Sequence, residues 1–392
     1  MNSFEYSNPV KVIFNENSLN CIGEETKQYG NNALLVSYTD ISFLQSTINI
    51  IKSSLHENGV NLTECFIVTA NPTIAQAQQG VTLCKEKNID IIIGLGGGSV
   101  MDCAKVIAAG VYFDDNLSQM VAYSHKNSVQ IPPKQALATI MIPTLPATGS
   151  EMNPTAVITN ELTHKKSYVW APNCLYPKVA IIDPTLTVNL PPYQSACGAL
   201  DTLAHIVESY FNGNNTNLDL QDRMQEGVIK AVFENLPRVI ENPNDIQARG
   251  VMMWSASIAL NGWLLSGTYT WAPMHQMGHV LSARYHATHG ATLSCMMLAW
   301  MKFFANREDN NRYEQFAQMI FSQNLRQAVL TFESYIKKYG VQTRISEFGV
   351  NKEDIEQLVS DVVEVSFNEN GVLGSNPPLR KDDIKQIYLL SL

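Results

Sequence analysis

Positive charge is scarce in this chain: Lys and Arg together number 27 against 36 Asp and Glu, a formal net charge of −9 over 392 residues. So acidic a chain lacks the basic footprint that nucleic acid or an anionic membrane surface requires, and neither partner is expected. Cysteine is no framework either. The seven residues, at 21, 65, 84, 103, 174, 197 and 295, are odd in number, widely spaced and free of any Cys-x-x-Cys pair. Neither a disulfide scaffold nor a thiolate-built zinc site is expected, and a reducing cytoplasm fits best. The start, Met1-Asn-Ser-Phe-Glu5, carries no basic end and no apolar run, so no signal peptide is read there. Long hydrophobic runs are missing as well. Residues 250–283 contain no Asp, Glu, Lys or Arg, but Asn261, Gly262, Ser266, Gly267, Pro273 and His275 interrupt them. A membrane span wants about 20 predominantly apolar residues, so this stretch reads as buried helices lining a site in a soluble protein.

What remains is globular composition, 45% hydrophobic and 16% charged, in a chain long enough for two or three domains. Up to about residue 185, short apolar runs alternate with helical spacing. Strands are expected at Ala33–Ser37, Cys65–Val68, Ile89–Ile93, Ala136–Ile142 and Val179–Ile182, with helices over 42–57, 73–87 and from Ser99 onward. This alternation argues a parallel, doubly wound sheet. After Pro191-Pro192 the strand pattern nearly vanishes, and helices are expected over 193–212, 218–240, 245–265, 272–283, 290–304, 310–321, 325–338 and 352–366. The expected architecture is α/β plus all-α: residues 1–190 as one domain and 191–392 as a second, helical one.

Two turns stand out in the sheet half. Asp90-Ile-Ile-Ile-Gly-Leu-Gly-Gly-Gly-Ser99 is a strand running through a glycine cluster into a helix start. Bare glycines let an anion approach the backbone, and the amides of the helix N-terminus then receive it. The strict dinucleotide fingerprint is not met, because Ser99 stands where its third glycine would be. The second turn, Ile142 to Asn153, gathers Thr144, Thr148, Gly149 and Ser150 after a strand, at the edge where open α/β sheets bind ligands. Either turn by itself also reads as an ordinary capped loop.

The eight histidines are not spread evenly: His205, His275, His279, His286 and His289 all fall in the helical half. Asp201 and His205 stand four apart on an expected helix, which puts their Cβ atoms about 5–6 Å from each other on one face. His275 and His279 repeat the spacing inside the uncharged stretch. Burying several imidazoles without a shared purpose is costly, and one carboxylate with three neutral imidazoles suits a divalent first-row metal, Fe2+ or Zn2+. Spacing leaves the ligand set open, since His279 and His286 compete with the others.

Five motifs in order then resemble the iron-containing alcohol dehydrogenase family, in its butanol dehydrogenase and NADPH-dependent aldehyde reductase branch. They are Phe4 to Phe14, Gly96-Gly-Gly-Ser-Val-Met-Asp-Cys-Ala-Lys105, Pro143-Thr-Leu-Pro-Ala-Thr-Gly-Ser-Glu151, Gly198-Ala-Leu-Asp-Thr-Leu-Ala-His205, and Met277-Gly-His279 with its flanking histidines. The resemblance implies a Rossmann-like nucleotide domain, a helical domain related to that of dehydroquinate synthase, and a metal between them. By motif match Asp201, His205, His275 and His289 would be the ligands, and His279 a proton-relay residue beside the substrate. Gly97, Gly98 and Ser99 would meet the cofactor pyrophosphate with Asp102 nearby. Thr144, Thr148 and Asn153 would be further contacts, Lys166 would reach the ribose side, and Leu186 would lie near the nicotinamide. Tyr38 stands where family members that use NAD carry an acid, and Thr39-Asp40-Ile41-Ser42 replaces a glycine-rich stretch. Asp40 would serve NAD and Ser42 NADP, and the reading leans to NADP. The implied reaction is hydride transfer between NAD(P)(H) and a primary alcohol or aldehyde, with the metal polarising the substrate oxygen, in a homodimer. Trp254, Trp263, Leu264, Tyr269 and Trp271 are candidates for an apolar lining. A lyase of the dehydroquinate synthase kind would need a basic pocket, which residues 250–283 do not supply.

Overall fold

The computed structural model describes residues 2–122, 130–163, 165–213 and 218–392, so His125 and His164 lie outside the described residues. Through residue 182, strands and helices alternate: β1 (Lys11–Phe14), α1 (Ile22–Lys27), β2 (Asn32–Tyr38), α2 (Gln45–Glu57), β3 (Asn61–Val68), α3 (Ile74–Lys87), β4 (Ile91–Gly96), α4 (Gly98–Gly110), β5 (Ala138–Pro143), β6 (Thr155–Asn160), β7 (Lys165–Trp170) and β8 (Val179–Ile182). From Pro192 the elements are helical: α5 (Pro192–Asn212), α6 (Asp219–Glu241), α7 (Ile246–Ala259), α8 (Pro273–Tyr285), α9 (His289–Phe304), α10 (Asn311–Phe321), α11 (Leu325–Lys338), α12 (Ile355–Ser366) and α13 (Lys381–Leu390). The α/β plus all-α expectation holds. None of these helices is long and apolar enough to cross a membrane.

Six strands form one parallel sheet in the order β1-β8-β5-β4-β2-β3. Its inner strands β2, β4, β5 and β8 are buried on both faces, and their side chains alternate as the pleat demands. Leu34, Val36, Ile92 and Met141 pack under α3 and α4, while Ala33, Leu35, Ile91, Ile93, Ile140 and Ile142 pack under α1 and α2. The strand order reverses between β2 and β4, which leaves a crevice at their carboxyl ends, the usual ligand position in such sheets. The helical half is organised around α9, where Trp300, Met297 and Phe304 are buried.

Three local expectations are corrected. The helix over 245–265 stops at Ala259, because Asn261-Gly262 breaks it. A separate antiparallel hairpin, β6–β7, lies over α4 and reaches α8. Its strands are half-exposed, and β7 opens on two lysines, so little in the sequence announces it. The short α13 was not anticipated either.

α9 approaches α5 so closely that a Cβ on Gly290 would stand 2.0 Å from the Cys197 carbonyl oxygen. Backbone cannot yield there as a side-chain tip would. Gly290→Ala is expected to destabilise the chain by about 1–3 kcal/mol, the usual cost of overpacking, seen as a lower midpoint in urea unfolding.

Candidate metal centre and nucleotide cleft

α5 carries Asp201 and His205 one turn apart on one face, and Glu208 continues that face. α8 brings His275 from the opposite side, and α9 opens on His289. Asp201 Oδ1 lies 3.5 Å from His205 Nε2, 3.5 Å from His275 Nε2 and 3.7 Å from His289 Nε2. The His205 and His275 rings stack with centroids 4.2 Å apart. One donor atom from each of Asp201, His205 and His275 falls within 4.8 Å of the others. His289 stands just outside that tightest group, facing the same carboxylate oxygen.

These atoms lack hydrogen-bond partners. Asp201 Oδ1, His205 Nε2 and His275 Nε2 are buried and unpaired, as are Nδ1 of His279 and of His289. Leaving a buried polar atom unmet costs about 1–3 kcal/mol, so the three orphans that converge, Asp201 Oδ1 with Nε2 of His205 and of His275, mark a place for a shared partner. An oxygen and imidazole nitrogens in this arrangement suit a divalent first-row cation. Burial, and then the neighbouring His275, pushes the His205 imidazole down to about 3. Its contact with Asp201 is therefore not an ion pair. Burial and then Lys166 likewise hold His279 and His289 well below the ordinary imidazole value. His275 goes the other way, to about 9: burial works against its charge, but the carboxylates of Glu208 and Asp201 outweigh it. His286, the other competitor, ends up exposed just past α8 and is not brought to the cluster.

Glu208 was not singled out in the sequence. It is buried, and it accepts the backbone N–H groups of Met274 and His275 as well as the Nδ1 of His275. Its spacing of three from His205 was the available signal.

The nucleotide side forms where the two glycine turns meet. β4 and β5 are neighbours, pairing Gly96 with Pro143, so Gly97, Gly98 and Ser99 at the start of α4 lie beside Thr144 and Thr148. A Cβ on Gly98 would stand 2.6 Å from Thr148 Oγ1. Tyr38, at the end of β2, accepts the Gly97 N–H through its hydroxyl at 2.8 Å. Asp40 is exposed at the same strand end and accepts the Ser42 N–H at 3.0 Å, which holds its carboxyl below the usual value. Leu186 packs against the sheet.

Asp102 and Asn153 prove to be busy elsewhere. Asp102 accepts Ser150 Oγ at 2.6 Å and Val157 N–H at 2.9 Å, while Asn153 Nδ2 donates to the carbonyls of Thr148 and Gly149. Lys105, fully buried, donates to Ser150 Oγ and to the carbonyls of Asn153 and Thr155, each at 2.8 Å. Burial brings this amine down to about 8. The three side chains hold the second turn in shape. Lys166, on β7, donates to Asn71 at 3.0 Å, and burial lowers its amine to about 8 as well.

Two family models cover this layout, one described as iron-containing alcohol dehydrogenase over residues 9–184 and one as the C-terminal region of the Fe-containing alcohol dehydrogenase family over 195–392. The chain belongs to the iron-containing alcohol dehydrogenase family. It is thus an oxidoreductase of the alcohol dehydrogenase and aldehyde reductase type. Among relatives, it is 33% identical to NADH-dependent butanol dehydrogenase A of Clostridium acetobutylicum, with 99% of each chain covered. It is 27% identical to an NADPH-dependent aldehyde reductase of Escherichia coli, again with 99% of each covered. The crystal structure of NADH-dependent butanol dehydrogenase A from Thermotoga maritima matches with a TM-score of 0.92 at 32% identity, covering 100% of this chain and 99% of the other.

The aromatic residues of the uncharged stretch take up different positions. Trp254 sits against Phe14 and Trp263 against Tyr6, both partly exposed, while Leu264 belongs to the helical core. Tyr269 and Trp271 pack edge to face just ahead of α8. The α8 part of the uncharged stretch carries His275 and His279 into the histidine cluster.

Lys105→Met keeps the length of the side chain but leaves Asp102 without its cation and three acceptors without a donor. It is expected to cost about 3–5 kcal/mol, as breaking a buried charge pair does, measured by urea unfolding.

Proposed function

We propose that the chain interconverts primary alcohols and aldehydes with a nicotinamide nucleotide, with a ferrous ion held by Asp201, His205, His275 and His289. The observation that carries this is the convergence of buried, unpaired donor atoms on Asp201 Oδ1. Iron bound there would act as a Lewis acid on the substrate oxygen, and the nucleotide would carry the hydride. The chain's own part is positioning. In this reading residues 1–190 form the nucleotide domain, where the amides at Gly98 and Ser99, with that of Gly97 once the Tyr38 hydroxyl gives it up, would receive the pyrophosphate, flanked by Thr144 and Thr148. Residues 191–392 form the metal domain. Asp102 and Asn153 act by shaping the second turn, and Leu186 borders the nicotinamide end. Lys166, whose buried amine depresses both His279 and His289, stands between the two functions. His279, buried and neutral with Nδ1 unpaired, is the group placed to hold a substrate proton.

For the nucleotide we favour NAD(H), a departure from the NADP preference drawn from the sequence. The Ser42 N–H is turned onto Asp40, so that loop offers a carboxylate where a 2′-phosphate would need a donor. The names of the more similar relatives support the same choice. A homodimer is the accompanying assembly; the exposed Phe14 and Trp254 pair beside the sheet-edge strand β1 supports it.

Butanal-dependent loss of NADH absorbance is expected to vanish after chelation and return with ferrous iron. Asp201→Asn should lower kcat/KM by about 100-fold or more, the share of a Lewis acid worth several kcal/mol. Turnover that survives chelation and this substitution would overturn the metal reading. Replacing Asp40 with Ser should raise the NADPH to NADH ratio of kcat/KM by about tenfold, the scale of one removed charge repulsion near a surface. An unchanged ratio would assign nucleotide choice to other residues.

A further inference from the structure

We infer that Glu208 is a positioning residue for the metal: it selects the ring-nitrogen state in which His275 can ligate. The inference rests on the metal reading above and adds a residue to it. His275 has two ring nitrogens, and only one of them faces Asp201. Nε2 points at Asp201 Oδ1 from 3.5 Å and is otherwise unpaired. Nδ1 is on the far side of the ring and meets Glu208 Oε2. A carboxylate offers no proton, so this contact requires a proton on Nδ1. Once that proton is fixed, Nε2 is the nitrogen free to give its lone pair to a cation.

The same carboxylate does a second job with its other oxygen. Oε1 accepts the backbone N–H of Met274 and, at 3.1 Å, that of His275. These amides belong to the first turn of α8, and Ala272, at its N-cap position, has no side chain able to cap it. Glu208 supplies the missing cap from a different helix. Its backbone attachment is α5, three residues past His205 and seven past Asp201. One side chain therefore sets the position of α8 against α5 and the protonation of the ligand α8 delivers.

Glu208→Gln separates the two jobs. An amide has one accepting oxygen and one donating nitrogen. Two backbone N–H groups, which cannot change state, compete for the oxygen against one imidazole, which can. The amide oxygen stays on α8, and the amide N–H2 turns to Nδ1. His275 then shifts its proton to Nε2, where it blocks ligation.

The test uses the full chain and zinc as a diamagnetic probe. Zinc affinity is measured by competition against a chromophoric chelator, for the wild type, Glu208→Gln and His275→Ala. Proton NMR of the zinc-loaded wild type should show a far-downfield, exchange-protected imidazole N–H resonance that is absent from His275→Ala. Glu208→Gln should bind zinc about 10–100-fold more weakly, the range for loss of an outer-shell partner, and lose that resonance. The thermal midpoint of the chelated protein should stay close to that of the wild type, because the cap is retained. Wild-type zinc affinity in Glu208→Gln, or an unshifted downfield resonance, would overturn the role of Glu208 while leaving the metal site standing. A wild-type chain that takes up no zinc overturns both. Should Glu208→Gln fail to fold, the wild-type spectrum decides, and absence of the resonance counts against the inference.

Discussion

Burying a carboxylate oxygen and several imidazole nitrogens without partners is expensive, and the helical half is arranged around tolerating that cost in one place. Asp201 Oδ1 is the common neighbour of three histidines drawn from three helices. Each unmet atom opposes folding by about as much as an ordinary hydrogen bond would favour it, or more. The arrangement persists because α5, α8 and α9 are locked by other means: Glu208 across the start of α8, the close approach of Gly290 to α5, and a dense core around Trp300. Packing supplies the stability, and the centre spends part of it.

Electrostatics divides the labour among the histidines. His205, His279 and His289 are kept neutral by burial, whereas His275 alone is tied to a second carboxylate. Lys166 reaches toward this region from the opposite half of the molecule, on a hairpin that is separate from the main sheet. The two halves thus share a charge environment as well as a boundary.

Much of this was legible in the chain. The spacing of four between Asp201 and His205, the glycines before Ser99, and the loss of strand pattern after Pro192 each have a direct physical meaning, and the elements that carry them, β4, α4 and α5, formed close to their expected bounds. What escaped notice shares a cause. Glu208 and Lys105 are charged residues whose importance comes from being buried against particular backbone groups, and no periodicity announces that. The uncharged run shows a second limit. Trp254 and Trp263 sit within one uncharged run, but the break after Ala259 sends that run to separate surfaces. Absence of charge marks burial or contact, not which cavity a residue faces.

The second glycine turn touches the metal helix directly. A Cβ on Gly198 would stand 2.3 Å from the Pro146 carbonyl oxygen, and Thr202 Oγ1 donates to the Ala147 carbonyl at 3.4 Å. Both residues are within one turn of Asp201, about 5.4 Å along the helix axis. The loop at the mouth of the sheet and the carboxylate of the centre are therefore mounted on one rigid rod. Lys105 and Asp102 tie the same loop to α4, so any rocking of the two halves against each other would have to break contacts on one side of it. Residues 143–153 thus latch the sheet half to the helical half at a point well away from the prolines where the chain changes character.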